Sequence, residues 1–210
     1  LDADVLPLHG SLPPGEQDRA LLASPGRRRV ILATDIAETS LTVEGVHVVV
    51  DAGLAREPAL DARTGMTRLR TVPASRASAD QRAGRAGRLG PGVAWRLWSQ
   101  VEHAARRPFT EPEILRVDLA GLALELEQWG GDATALPWLD PPPKRALDDA
   151  HVLLDQLGLL GTAAGRRASV LPVHPRLARM VIDAPTWTAC VLATVLDGRP
   201  PPGDEADTTP

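Results

Sequence analysis

Gln81-Arg82-Ala83-Gly84-Arg85-Ala86-Gly87-Arg88 sets arginines at every third position with glycines among them. Guanidinium groups present planar, permanently charged donor forks that match phosphate oxygens, and glycine lets backbone and phosphate approach closely. On a helix Arg82, Arg85 and Arg88 fall at i, i+3 and i+6 and form one slowly rotating stripe, with Gln81 beside it able to orient a water. The bland alternative is a solvated basic face. Two glycines in a surface helix cost about 1 kcal/mol each relative to alanine and return nothing on such a face. The run therefore reads as a phosphate sensor.

Outward from this run the chain alternates. Arg29-Val30-Ile31-Leu32-Ala33 and Val46-His47-Val48-Val49-Val50 are short, apolar, β-branched runs, the signature of strands buried on both faces of a parallel sheet. A one-turn helix lies between them, and Glu16 to Leu22 reads as a helix before the first. The order αβαβ fits an α/β lobe of RecA type. Arg56 to Val72, with Thr64-Gly65 at its centre, reads as a β-hairpin projecting from that lobe, and Val93 to Trp98 as its closing strand.

A second, mainly helical region follows Arg106-Arg107-Pro108. Leu115, Leu119, Leu122, Leu126 and Trp129 make one apolar helical stripe stopped by Gly130-Gly131. Pro141-Pro142-Pro143 open another helix with Ala146, Ala150, Leu153 and Leu157 inward, and Gly161 to Leu171 has the glycine and β-branched content of a small hairpin. Helix, helix, hairpin is a winged-helix arrangement. The expected division is a RecA-like lobe over 1–105, truncated at its N-terminal side, a winged helix over 106–172, the start of a further helical domain over 173–199, and a disordered tail over 200–210.

Composition bounds the function. The chain has 210 residues, 43% of them of hydrophobic type, enough for a core. One cysteine, Cys190, allows no internal disulfide, and no apolar stretch approaches the ~20 residues of a membrane span. A cytoplasmic location is expected. The five histidines have no metal-ligand spacing. The net charge of −4 is unevenly placed: residues 55–98 carry nine arginines against three carboxylates, whereas 111–160 carry ten carboxylates against three basic residues. Phosphate would meet the first segment. The acidic winged helix reads as a structural connector rather than a groove binder.

Three blocks in order, Pro7-Leu8-His9-Gly10-Ser11-Leu12-Pro13, Thr34-Asp35-Ile36-Ala37-Glu38-Thr39-Ser40-Leu41-Thr42 and the Gln81 to Arg88 run, resemble the second lobe of the DEAH-box ATP-dependent RNA helicases, with a P-loop NTPase type fold. Pro112-Glu113-Ile114-Leu115, Leu136-Pro137-Trp138-Leu139-Asp140 and His174-Pro175-Arg176-Leu177-Ala178 resemble the bacterial HrpB-type branch. The phosphate-cradling Gly-x-x-x-x-Gly-Lys-Ser/Thr loop and the Asp-Glu-Ala-His box of such helicases do not occur in the sequence. Half an active site is expected, and the chain reads as an internal fragment. Asp35 stands where the family usually has Asn, and no aromatic occupies 19–22.

The resemblance implies that Gln81, Arg85 and Arg88 face the terminal phosphate of a nucleotide across a cleft, and that Thr42 and Glu44 face its sugar. It implies ATP and Mg2+ as cofactors held mainly by a first lobe, with that lobe and single-stranded RNA or another nucleic acid as partners. It also makes the hairpin the element that abuts the nucleic-acid strand. Thr34, at the C-terminal end of a strand, can grip a nucleic-acid phosphate with its hydroxyl and the next amides, Asp35 included, and Gly10 with Ser11 forms a second backbone grip. His9 reads as a turn residue. Asp35-x-x-Glu38 reads as a capping box in which Glu38 serves only its own short helix. Arg82 is expected to hold the helix to its own lobe. The alternative to half a helicase is a non-catalytic nucleic-acid-binding or regulatory module; a third reading, an arginine-finger activator of a separate NTPase, leaves the Ser11 and Thr34 blocks unused.

Overall fold

The computed structural model describes residues 2–22, 26–38, 42–61 and 63–198 and divides the chain into two compact units. The first comprises residues 1–57 and 70–110. Its elements run β1 (Asp4–Leu8), α1 (Pro14–Leu21), β2 (Arg29–Ala33), a 3-10 turn (Asp35–Ala37), β3 (Val48–Asp51), the hairpin strands β4 (Leu54–Asp61) and β5 (Met66–Pro73), α2 (Arg76–Ala86), β6 (Val93–Arg96) and α3 (Gln100–Ala105). β1 pairs in parallel with β2, Leu8 opposite Ala33, and β3 pairs in parallel with β6, Val50 opposite Trp95. The expected αβαβ order holds, with mixed α/β content of RecA-like type.

Burial on both strand faces does not hold. Leu8 and the small residues Ala20, Ala79 and Ala86 form the interior, where alanines let α1 and α2 lie close to the strands. In register on the other face, Val5, Val30, Leu32, Val48, Val50, Val93 and Trp95 are 40–63% exposed. The continuous apolar runs that suggested two covered faces have only one covered among the described residues.

The second unit comprises residues 58–69 and 111–210, of which 199–210, and with them the expected tail, lie outside the described residues. It holds a 3-10 turn (Glu113–Leu115), α4 (Ala120–Trp129), a 3-10 turn (Ala133–Ala135), α5 (Lys144–Gln156), α6 (Ala163–Ser169), α7 (Pro175–Asp183) and α8 (Trp187–Leu196). Leu119, Leu124, Leu153, Leu154 and Leu159 with Ala123, Ala150 and Ala178 make its core, and Ala146, Leu122 and Leu157 pack against it. Gly130 ends α4 at φ +75°. Trp129, expected on the inward stripe, is 66% exposed.

The hairpin expected over 161–171 is instead α6. Thr162 Oγ1 accepts the Gly165 amide at 3.0 Å and caps an alanine- and arginine-rich segment, so the helix formers inside outweigh the glycine and valine at its ends. The β4–β5 hairpin turns at Asp61, whose carbonyl accepts the Gly65 amide at 2.8 Å, with Gly65 at φ +64°. It does not project freely. Its tip belongs to the helical unit: the Leu60 amide donates to the Arg116 carbonyl (3.0 Å), Arg116 Nη1 to the Pro58 carbonyl (2.6 Å), and the Asp118 amide to Thr67 Oγ1 (3.1 Å).

Candidate phosphate and nucleic-acid site

α2 carries the arginine run and is sealed at its start. Ser75 Oγ accepts the Ser78 amide at 3.1 Å, and the orphan amides of Arg76 and Ala77 donate to the carbonyls of Arg107 (2.9 Å) and Pro108 (3.0 Å). The helix ends at Ala86 with Gly87 as its cap, so Arg88 stands beyond it rather than on the expected helical stripe. The loop 87–92 is closed tightly: a Cβ on Gly92 would stand 2.0 Å from the Ala86 carbonyl oxygen and 2.9 Å from that of His47.

The arginines separate by position. Gln81, Gly84, Arg85 and Arg88 line a shallow concavity of about 410 Å3, and beyond the adjoining backbone of its own helix nothing lies within 4 Å of where a Cβ on Gly84 would stand. Room for a phosphoryl group therefore sits beside guanidinium and amide donors. Arg82 lies outside this lining and turns into the unit. Its Nε donates to Glu38 Oε2 at 2.9 Å, and its Nη1 donates to Asp51 Oδ1 at 3.1 Å and to the Leu54 carbonyl at 2.9 Å. Burial opposes the Arg82 charge, yet its hydrogen bond to Glu38 and the carboxylate of Asp51 outweigh it and hold its pKa above the ordinary value. Arg82 does hold the helix to its own lobe.

Glu38 corrects the capping-box reading. The 3-10 turn has Thr34 as its cap residue with no side-chain capping bond. Glu38 looks away to α2, where its Oε2 accepts from Ser78 Oγ and Arg82 Nε, and its carbonyl accepts from Arg85 Nη2. Sequence reasoning also passed over Asp51. The signal was available, since an aspartate closing the apolar run Val48-Val49-Val50 demands a charged partner once the strand is packed.

Gly10, Ser11, Thr34 and Asp35 come together at one rim. They follow the adjacent C-terminal ends of β1 and β2, all four are exposed, and the Thr34 amide donates to the Leu8 carbonyl at 3.1 Å. His9 Nδ1 lies 2.8 Å from Ser11 Oγ, and Gln17 Nε2 donates to the Leu12 carbonyl at 2.7 Å, fixing the turn. Thr42 and Glu44 do not line the arginine concavity. The Glu44 backbone is tied to the end of α1, its amide donating to the Leu21 carbonyl (3.1 Å) and its carbonyl accepting from Arg29 Nη2 (2.6 Å). Among the described residues no three metal-ligating side chains converge, and no helix is long and apolar enough to cross a membrane.

Residues 2–90 match the helicase conserved C-terminal domain. The chain is 45% identical to the Escherichia coli ATP-dependent RNA helicase HrpB over 97% of its own length and 27% of that protein's. It is 40% identical to the human probable ATP-dependent RNA helicase DHX34 over 91% of its length and 16% of that protein's. A crystal structure of the E. coli DEAH/RHA helicase HrpB matches with a TM-score of 0.84 at 43% identity, covering 97% of this chain and 27% of the other. The chain thus spans about a quarter or less of these relatives. The paired strand ends, an arginine helix with Arg82 turned inward, and this likeness along nearly the whole length agree: the chain carries the helicase conserved C-terminal domain over residues 2–90 and is similar to the HrpB-type DEAH/RHA helicases.

Proposed function

We propose that the chain is the second lobe of an ATP-dependent RNA helicase, with 106–172 as a small helical domain in which α6 takes the place of the expected wing and 173–199 as the start of a further helical domain. Gln81, Arg85 and Arg88 act on the terminal phosphate of ATP held with Mg2+ on a first lobe. The observation that carries this reading is the concavity lined by Gln81, Gly84, Arg85 and Arg88, from which Arg82 is withdrawn. Phosphoryl transfer needs charge stabilisation and a positioned water; two arginines and a glutamine supply donors for both, and a lobe that brings them up only on closure ties turnover to movement. ATP, when bound, supplies the bond that is cleaved.

Gly10, Ser11, Thr34 and Asp35 grip the backbone of single-stranded RNA through hydroxyls and amides at the strand ends, with no base readout. Thr42 and Glu44 approach the nucleotide sugar on lobe closure. The cytoplasm, where ATP and RNA meet, is the setting this implies. The likeness to ATP-dependent RNA helicases along 97% of the chain supports the activity assignment.

The test is ATP turnover by a protein joining this chain to a first lobe with a phosphate loop, measured with and without single-stranded RNA. Turnover stimulated by RNA is expected, with none from the present chain alone. Sequence-selective duplex DNA binding insensitive to salt would overturn the assignment.

A further inference from the structure

We infer that residues 106–110 form a strap that aims the arginine helix, with Arg107 as its positioning residue; this rests on the phosphate role proposed above for Arg85 and Arg88. The first orphan amides of a helix are ordinarily met by a neighbouring side chain or by water. At α2 those of Arg76 and Ala77 donate instead to the carbonyls of Arg107 (2.9 Å) and Pro108 (3.0 Å), far along the chain. Thr110 Oγ1 adds a bond to Oγ of Ser75, the cap residue itself (3.2 Å). A cap borrowed from a distant segment fixes where the helix begins in space as well as that it begins.

The strap is held in turn by the two arginines that precede Pro108. Arg106 Nη1 donates to the carbonyls of Gly53 (2.7 Å) and Ala74 (2.9 Å), and its guanidinium lies 4.2 Å from the centre of the Trp98 ring. Arg107 Nη2 donates to the buried Glu57 carboxylate of β4. Proline next in the chain disfavours helical backbone at Arg107. This one residue thus reaches β4 with its side chain and α2 with its carbonyl. Arg82 already ties the middle of α2 to Glu38 and Asp51. One anchor fixes a point on a rod, and a second fixes its direction. Along a helix axis Ala77 and Arg85 lie about 12 Å apart, so a tilt at the strap is carried to the guanidinium that lines the concavity. A misplacement of about 1 Å at a reacting group can cost about 100-fold in rate.

The test is made in the protein joining this chain to a first lobe. Removing Arg107 alone would leave Glu57 buried and unpaired, so the variant combines Arg107→Met with Glu57→Gln, in which neither charge remains. Hydrogen exchange at the Arg76 and Ala77 amides is expected to speed up about tenfold or more, while that at Ala83 stays near wild type. RNA-stimulated ATP turnover at saturation is expected to fall about fivefold or more, with the KM for ATP, the RNA half-saturation point and the melting temperature near wild type. Thr110→Val, which removes only the bond to Ser75 Oγ, serves should the paired variant fold poorly; it is expected to move exchange and turnover in the same directions by about twofold. A cap that matters to folding alone would lower the melting temperature and leave turnover per folded molecule unchanged. Wild-type turnover in the paired variant, or in Thr110→Val where the pair does not fold, overturns this inference alone, as does unaltered exchange at Arg76 and Ala77. Turnover in Arg88→Ala equal to wild type overturns the proposed function, and this inference with it.

Discussion

Arg82 Nη1 stands 3.1 Å from Asp51 Oδ1, tying the middle of the arginine helix to the last residue of β3. Their side chains are 16% and 6% exposed, and Glu38 completes the group at 2.9 Å. Breaking a buried pair from one side leaves uncompensated charge. Arg82→Ala is therefore expected to cost about 3 kcal/mol or more of stability, read as a lower midpoint in urea with an unchanged slope.

Arg88 should behave in the opposite way. It is exposed beyond the end of α2 and lines the concavity. In a protein joined to a first lobe, Arg88→Ala is expected to lower RNA-stimulated turnover by about 10^3, the range for a transition-state arginine, with RNA affinity and melting temperature near wild type. Near-normal turnover in that variant would remove the run from the phosphate chemistry.

RNA binding separates charge from hydroxyl contacts. Affinity for single-stranded RNA should fall steeply with salt, because each phosphate neutralised by an arginine releases counterions. Ser11 and Thr34 carry no charge, so Ser11→Ala with Thr34→Val should weaken binding about tenfold at every salt concentration and leave the slope in log salt unchanged. A flattened slope would show that these substitutions disturb the arginines instead.

Gly92 admits no side chain without movement of two backbone carbonyls, those of Ala86 and His47. Gly92→Ala should destabilise the first unit by about 1–3 kcal/mol and shift Arg88 through the loop 87–92. Thermal unfolding checks the first effect. A loss of turnover larger than any loss of folded protein checks the second.

Glu102 offers a pH-dependent probe remote from the site. It closes the capping box of α3: the Ser99 amide donates to its carboxylate at 2.7 Å while Ser99 Oγ accepts the Glu102 amide at 3.1 Å. The Ser99 amide first, then its side chain, hold the Glu102 carboxyl below its ordinary range. Its contribution to α3 is present above the unfolded-state pKa of about 4.3 and is lost as pH falls through the lower folded value. A carboxyl titration followed by NMR should place the Glu102 midpoint below the ordinary glutamate range, and Ser99→Ala should raise it.

Much of the fold was legible in the sequence. The cores of β2, β3 and β6, the hairpin centred on Gly65 and the inward alanines and leucines of α5 follow from periodicity and turn chemistry, whereas the strand Asp4–Leu8, broken by Pro7, was not anticipated. Part of what escaped depended on distance along the chain, and part on local caps and stops. Glu38 looked like a local cap because Asp35-x-x-Glu38 satisfies the spacing, and only packing brings Ser78 and Arg82 near enough to compete for its carboxylate. Gly161 to Leu171 looked like a hairpin because its ends carry glycine and valine, while the cap at Thr162 that starts a helix there was passed over. Arg88 fell off the stripe because spacing does not say where a helix stops. Docking of the hairpin tip relied on Arg116 and Asp118, some fifty residues away, to which no local pattern points.

The open strand faces have a practical side for whoever purifies this chain. Val5 opposite Val30, Val48 opposite Val93 and Val50 opposite Trp95 form rows of exposed apolar side chains on strands that pair only two by two among the described residues, the kind of surface on which chains stick to one another. At high concentration the isolated polypeptide should bind hydrophobic dyes, lose monomer on standing and recover solubility with a lysine at Val50 or Trp95, positions that touch neither the strand-end rim nor the arginine concavity.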